Sequence, residues 1–325
     1  MTRSPLRPRS QLLNPVPDRQ RNYHACHWVQ VATCDGLRLD GLLHDPTWDA
    51  TAKSVSKEGS IVLLMHGAGA NFYGPSLINR VGTHLFRLGW PVLRVNNRGH
   101  DGWHVAFRGG GITQMGAAFE RLEESIWDVQ AWLGWLRRNG YQRVILAGHS
   151  LGAFKILYAL ARLREQATTD ARSVLHDVQI RTAVAISPPC LSQSLFESSP
   201  QSDLFRRTVR ACEVMLEQGA DEQIFRAEYP FSMLISPGCY LNKYASGERF
   251  NWTQWQENLK ESILWIFGAA ELQSHEALAR GVQVLEKQLS ANHQLFVVPE
   301  GDHFFTGTSR DVCLAVEQWL EPLRS

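Results

Sequence analysis

Long apolar runs are missing from this 325-residue chain. None approaches the roughly 18–20 residues that a membrane-spanning helix requires, so no span is expected. An excess of charge of either sign is missing too. Lys and Arg number 33 against 32 Asp and Glu, a formal net charge of +1. So small an imbalance offers no field for nucleic acid or for an anionic membrane surface. Cysteine is sparse: Cys26, Cys34, Cys190, Cys212, Cys239 and Cys313 are scattered and form no CxxC pair. That scatter reads as reduced, mostly buried thiols in a cytoplasmic chain. The first residues lack the continuous apolar stretch of a secretory signal. Residues 1–22 do hold five arginines and a single acid, Asp18, as a transit peptide would. However, Pro5, Pro8, Pro15 and Pro17 spoil an amphipathic helix there, and a disordered basic tail is the expectation.

What is present is a globular composition. With 44% hydrophobic and 20% charged residues, the chain is too apolar and too weakly charged to be disordered. Its 25 Gly and 14 Pro follow no triplet period, which excludes a collagen-like rod. The length admits two domains, or one α/β unit of roughly 250 residues with a surplus to be located.

Residues 23–43 read as an extended pair broken at Cys34-Asp35-Gly36, a hairpin signal. Residues 45–60 are polar and aperiodic, a surface loop. Ile61–Met65 is unbroken apolar, as befits a parallel strand covered on both faces. A helix is expected over Ser76–Leu88, a strand over Pro91–Val95, and a long glycine-rich loop over 96–117. Phe119, Leu122, Ile126, Val129, Leu133 and Leu136 alternate spacings of three and four, which puts them on one helical face. Asn139-Gly140 stops that helix. Arg143–Leu146 is a strand that runs into Gly148, followed by a helix with Phe154, Leu157, Leu160 and Leu163 inward. Thr182–Ile186 is another strand, after which residues 188–260 lose β periodicity. The alternation resumes with a strand at Ile263–Phe267, a helix at Ser274–Leu289, a strand at Gln294–Val298 and a helix at Ser309–Leu323. Such alternation implies a doubly wound, mostly parallel sheet with helices on both faces. Right-handed crossovers then gather the C-terminal strand ends on one edge, where ligands bind.

Gly148-His149-Ser150-Leu151-Gly152 is a G-x-S-x-G pattern. By itself it is short enough to arise by chance. Its position between an apolar strand and an amphipathic helix is that of a nucleophile elbow, whose tight turn requires small residues two before and two after the serine. The competing reading is a glycine-rich turn with a capping serine. A serine hydroxyl needs a base to take its proton, and Gly301-Asp302-His303 follows the last strand at the same edge. His303 is therefore the expected base. An acid must orient the imidazole and stabilise its cation. Glu271, in Gly268-Ala269-Ala270-Glu271 after strand Ile263–Phe267, is the choice. It could instead merely open the next helix, where acids are favoured, and Asp302 is the alternative acid. Two backbone N–H groups should receive an oxyanion: Leu151, after the serine, and Ala68, in His66-Gly67-Ala68-Gly69 after the strand at 61–65.

Taken together, the elbow, the His66–Gly69 loop, Asn97-Arg98-Gly99-His100-Asp101, Gly268–Glu271 and Gly301–His303 resemble the α/β-hydrolases over about residues 23–325. The resemblance is to serine esterases and lipases of that superfamily. It extends faintly, through Gly116-Ala117-Ala118-Phe119-Glu120, to a branch containing fungal siderophore esterases. Glu271 stands where the family more often has Asp. The resemblance implies a catalytic core formed by 23–187 and 259–325, with 188–258 inserted as a mainly helical cap. It implies no metal and no organic cofactor. Epoxide hydrolases and haloalkane dehalogenases share this fold but use an Asp nucleophile, which Ser150 does not match.

Phe196, Phe205, Met215, Phe225, Tyr229, Phe231, Met233, Trp252 and Trp255 lie in the inserted stretch. Most should form its own core, while some favour an apolar acyl or alkyl group in a small-molecule substrate. Glu217, Asp221 and Glu228 keep open an aminopeptidase that pairs a substrate amine. An amidase, an acyltransferase and a non-catalytic binding protein remain alternatives to an esterase. Two groups could suggest a metal, His24-Ala25-Cys26-His27 and His100-Asp101 with His104. On a strand, positions three apart face opposite sides, and the second group lacks further ligand spacing, so both read as ordinary polar residues. Gly109-Gly110-Gly111 lacks the G-K-[ST] of a phosphate loop and reads as a flexible segment beside the site.

Overall fold

The computed structural model describes residues 26–45, 47, 59–169 and 173–324. The basic stretch 1–22, His24 and most of the polar loop at 45–60 lie outside them. Eight strands form one sheet: β1 (His27–Ala32), β2 (Arg38–His44), β3 (Ser60–Met65), β4 (Val92–Val95), β7 (Arg143–His149), β8 (Gln179–Ile186), β11 (Ile263–Gly268) and β12 (His293–Val298). Their spatial order is β1-β2-β4-β3-β7-β8-β11-β12. Only β2 runs against its neighbours; from β4 to β12 every pairing is parallel.

Side-chain alternation explains why the central strands read as unbroken apolar runs. Ile61, Leu63 and Met65 enter one hydrophobic cluster, while Val62 and Leu64 enter the other. Val144 and Leu146 of β7, and Ile263, Trp265 and Phe267 of β11, repeat the division against Ile145, Ala147, Leu264 and Ile266. Each face is therefore covered. Helices α2 (Ser125–Arg138), α3 (Leu151–Ala167) and α8 (Glu276–Gln288) pack on the first face, and α1 (Leu77–Arg87) and α9 (Ser309–Leu320) on the second.

Local chemistry sets the boundaries. Ser76 caps α1 by accepting from the Asn79 N–H, and Gly140 takes a positive φ after α2. The helix expected from Phe119 begins later, because Leu122–Glu124 is a 3₁₀ turn and Phe119 lies in a hydrogen-bonded turn before it. The helix expected at 274–289 is α8, which starts after the extended backbone of His275 and is preceded by a separate short helix, α7 (Ala269–Ser274).

The glycine-rich loop also departs from expectation. It contains a hairpin, β5 (His104–Arg108) and β6 (Gly111–Met115), turned by Gly109 and Gly110 at φ 58° and 85°. The triple glycine is thus the tip of a hairpin packed against the turn at Gly36, and it lines no part of the site. The region 188–258 holds α4 (Gln193–Glu197), α5 (Ser202–Glu217), α6 (Pro237–Tyr244) and a short pair, β9 (Phe225–Ala227) with β10 (Met233–Ile235). Its buried Phe196, Phe205, Tyr229, Phe250, Trp252 and Trp255 belong to the same hydrophobic cluster as α3 and the sheet. Trp252 stacks on Trp265 of β11 at 4.8 Å. The stretch therefore shares one core with the sheet.

Candidate active site

Ser150 follows β7 in a turn that only its neighbours make possible. Its own φ is 56° and its ψ −128°, a strained conformation for a side chain with Cβ. A Cβ at Gly148 would fall 2.6 Å from the Ala153 nitrogen, and one at Gly152 only 2.3 Å from the His66 oxygen. Both glycines are required for space, so that strand, turn and helix can pass against the loop after β3.

His303, in the loop after β12, places its Nε2 2.9 Å from Ser150 Oγ, and its Nδ1 2.7 Å from Glu271 Oε2. A carboxylate only accepts, so Nδ1 carries the proton and Nε2 is free to accept from the serine hydroxyl. Glu271 is buried and uses its second oxygen as well. Oε1 accepts from Gly268 N–H at 2.7 Å and from Ser187 Oγ at 2.5 Å. Opening the next helix and holding His303 are thus done by two oxygens of one carboxylate. Asp302 points elsewhere: its Oδ1 accepts from the N–H groups of Phe304 and Thr306 at 3.0 and 2.8 Å. These bonds hold its carboxyl below the usual range and shape the loop.

His149 is buried, and burial pushes its imidazole down to about 3. Held neutral, it donates Nε2–H to the His303 carbonyl at 2.8 Å. His66 is buried and likewise lowered to about 3. Its Nδ1 donates to Gly67 O at 2.7 Å, and its Nε2 accepts the Asn97 N–H at 3.3 Å. The N–H groups of Leu151 and Ala68 bond to no acceptor among the described residues, and both residues border the cavity beside Ser150. Leu151 opens α3, whose N-terminal dipole end favours negative charge.

That cavity measures ≈ 470 Å³. One wall is the His66–Ala70 loop with Leu77 and Ile78; the opposite wall is Leu191, Phe231, Met233, Leu234 and Tyr244 from the inserted stretch. Leu234 and Phe304 stand mostly exposed at its mouth. Of the aromatic residues singled out by sequence, most are core, whereas Phe231 joins Met233 in facing the cavity. Leu191, Leu234 and Tyr244 carried no signal that sequence alone could use, since nothing local marks which side of an insertion faces the serine. Ser187 escaped in the same way. No carboxylate among the described residues lines the cavity, and Glu217, Asp221 and Glu228 are exposed elsewhere.

His100, Asp101 and His104 do converge, their potential ligand atoms lying within 4.8 Å of one another. Asp101 is already engaged, however: Oδ1 accepts from Asn71, and Oδ2 from Tyr73 and from His100. Four of the six cysteines are buried, and Cys26 and Cys34 are exposed. No helix among the described residues is long and apolar enough to cross a membrane.

No curated protein matches this sequence. Among solved structures, the fold is similar to Est1E from Butyrivibrio proteoclasticus, a structure with bound ferulic acid. Identity is 15% and the TM-score 0.58, covering 91% of this chain and 99% of that one. The alpha/beta hydrolase GrgF from Penicillium sp. sh18 gives 13% identity and a TM-score of 0.64, covering 92% and 99%. The Pyrococcus furiosus esterase Pf2001 gives 18% and 0.54, covering 93% and 94%. At such identities the likeness is one of fold. The model of the alpha/beta hydrolase family, by contrast, matches the sequence itself over residues 61–316. That match spans well over half of the chain and takes in the elbow, the loop after β3 and the histidine after β12; the chain belongs to the alpha/beta hydrolase family.

Proposed function

We propose that this chain is a serine hydrolase that cleaves carboxylic esters with an apolar acyl or alkyl group. One observation carries the reading: the hydrogen-bonded row Ser150–His303–Glu271 opens onto an apolar cavity beside two N–H groups that bond no acceptor among the described residues. In this reading His303 Nε2 takes the proton from Ser150 Oγ as the oxygen attacks the ester carbonyl. The N–H groups of Leu151 and Ala68 receive the oxyanion. His303 then passes the proton to the departing alcohol oxygen as the C–O bond breaks, leaving an acyl-serine. Water, deprotonated by the same imidazole, attacks that acyl group, and the acid leaves as the proton returns to Ser150. Glu271 holds Nδ1–H throughout and stabilises the imidazolium.

The stretch 188–258 acts as a cap on a core formed by 23–187 and 259–325, since it supplies one cavity wall. An aminopeptidase would need a carboxylate to pair a substrate amine, and the cavity wall supplies none among the described residues. The test is a fluorophosphonate probe, followed by p-nitrophenyl esters of graded acyl length beside matched aminoacyl anilides. Labelling at Ser150 and faster ester cleavage are expected. Absence of labelling would overturn the enzyme reading, and faster anilide cleavage would overturn the ester preference.

A further inference from the structure

Behind the loop after β3 lies a buried polar chain that the hydrolytic steps do not use. Lys243 of α6 and Lys155 of α3 both reach Glu120, and all three side chains are fully enclosed. Burial alone would raise the Glu120 carboxyl, but the two ammonium groups pull it down to about 2. Lys155 Nζ also donates to Asn97 Oδ1 at 2.6 Å. An ammonium this deeply buried is tolerated only when its donors are met. Its charge, with the Gly99 N–H that donates to the same oxygen at 3.0 Å, fixes which end of the Asn97 amide faces it, because the opposite rotamer would set NH₂ against both donors.

With Oδ1 held by Lys155, Asn97 Nδ2 is turned to donate to the His66 carbonyl at 3.1 Å, while the Asn97 N–H donates to His66 Nε2 at 3.3 Å. His66 Nδ1 then donates to Gly67 O. Gly67 C=O and Ala68 N–H belong to one trans peptide, in which they point in opposite directions. Holding the oxygen on the His66 side turns the Ala68 N–H away from it. We propose that Asn97, oriented by the buried Lys155, is a positioning residue that aims the Ala68 N–H at the reacting carbonyl through His66. The proposal rests on the serine-hydrolase reading, in which that N–H meets the oxyanion.

Asn97→Ala, normalised by fluorophosphonate titration of Ser150, is expected to lower kcat by about 10- to 100-fold, less than losing a whole donor. KM should stay within about two-fold, since the loss falls on the transition state. A trifluoromethyl ketone, which forms an oxyanion on the serine, should bind more weakly by the same factor as kcat/KM. An ether isostere of the ester, which has no carbonyl, should bind unchanged, and the acid limb of the pH profile should not move. If Asn97→Ala does not fold, Lys155→Met is used with the same readouts; a loss in the same direction but smaller, at least about 3-fold in kcat, is expected, since the Gly99 N–H still holds Asn97 Oδ1 and Glu120 keeps Lys243. Asn97→Asp keeps the acceptor for Lys155 and loses the donor to His66 O, so it should fail to rescue activity. Unimpaired kcat in a folded variant, or equal weakening of ketone and ether, would overturn the proposal. A wild-type protein that neither labels at Ser150 nor cleaves esters would instead overturn the serine-hydrolase reading on which it stands.

Discussion

Ser150 adopts its strained turn because its neighbours lack Cβ atoms. With the His66 oxygen 2.3 Å from where a Gly152 Cβ would sit, backbone must shift to admit even a methyl group. Gly152→Ala should lower stability by more than about 2 kcal/mol, read as a drop in the urea midpoint, and should abolish probe labelling at Ser150. The two candidate acids are separated just as sharply. Glu271 bonds His303 while Asp302 bonds backbone. Glu271→Gln should cost kcat at least about 100-fold, because an amide does not stabilise the imidazolium. Asp302→Asn should stay within a few-fold of wild type, whereas Ser150→Ala and His303→Ala should lose several orders of magnitude. Steady-state kinetics on one ester decides all four. Equal losses at Glu271 and Asp302 would contradict the assignment.

Among the elements, α3 joins the two halves of the site. Its first residue is Leu151, and Phe154, one turn on, meets Phe250 and Trp255 of the inserted stretch at 5.9 and 6.5 Å. Phe154 is fully buried, so Phe154→Ala should destabilise by about 3–5 kcal/mol, measured by chemical denaturation. A loss below about 1 kcal/mol would mean that the cluster repacks around the gap. Elements of this kind were legible in sequence, because their apolar spacing is set by which faces they bury. The β5–β6 hairpin was less so. Its apolar Val105, Phe107 and Ile112 stand on the exposed side, the reverse of the apolar-inside pattern on which strand recognition rests, and three glycines suggested a loop. The short helix α7 was not legible either, since its six residues are too few to show a period.

At the scale of the whole molecule, two buried neutral histidines make folding sensitive to acid. His66 and His149 are lowered from the ordinary 6.5 to about 3 by burial. Below about pH 6.5 the unfolded chain therefore takes up protons that the folded chain refuses, and stability falls as pH falls. Each contributes a slope of up to about 1.4 kcal/mol per pH unit in that range. Glu120, lowered from 4.5 to about 2 by its lysines, acts in the same direction at lower pH. Urea midpoints should decline from pH 7.5 through 6 to 5, with no compensating rise. A flat or rising midpoint would show that these imidazoles protonate within the fold.

The sequence by itself determined the strands of the main sheet, the order of the motifs along the chain, and Ser150 and His303 as residues meeting at one edge. Those features follow from local periodicity and from the rule that parallel strands share their C-terminal edge. Tertiary structure alone decided which of Glu271 and Asp302 turns toward the imidazole. It also set Ser187 against the carboxylate, chose the side chains of 188–258 that wall the cavity, and buried Lys155 against Asn97. Each of these depends on the direction of a side chain relative to residues distant in sequence, and spacing along the chain carries no record of that direction.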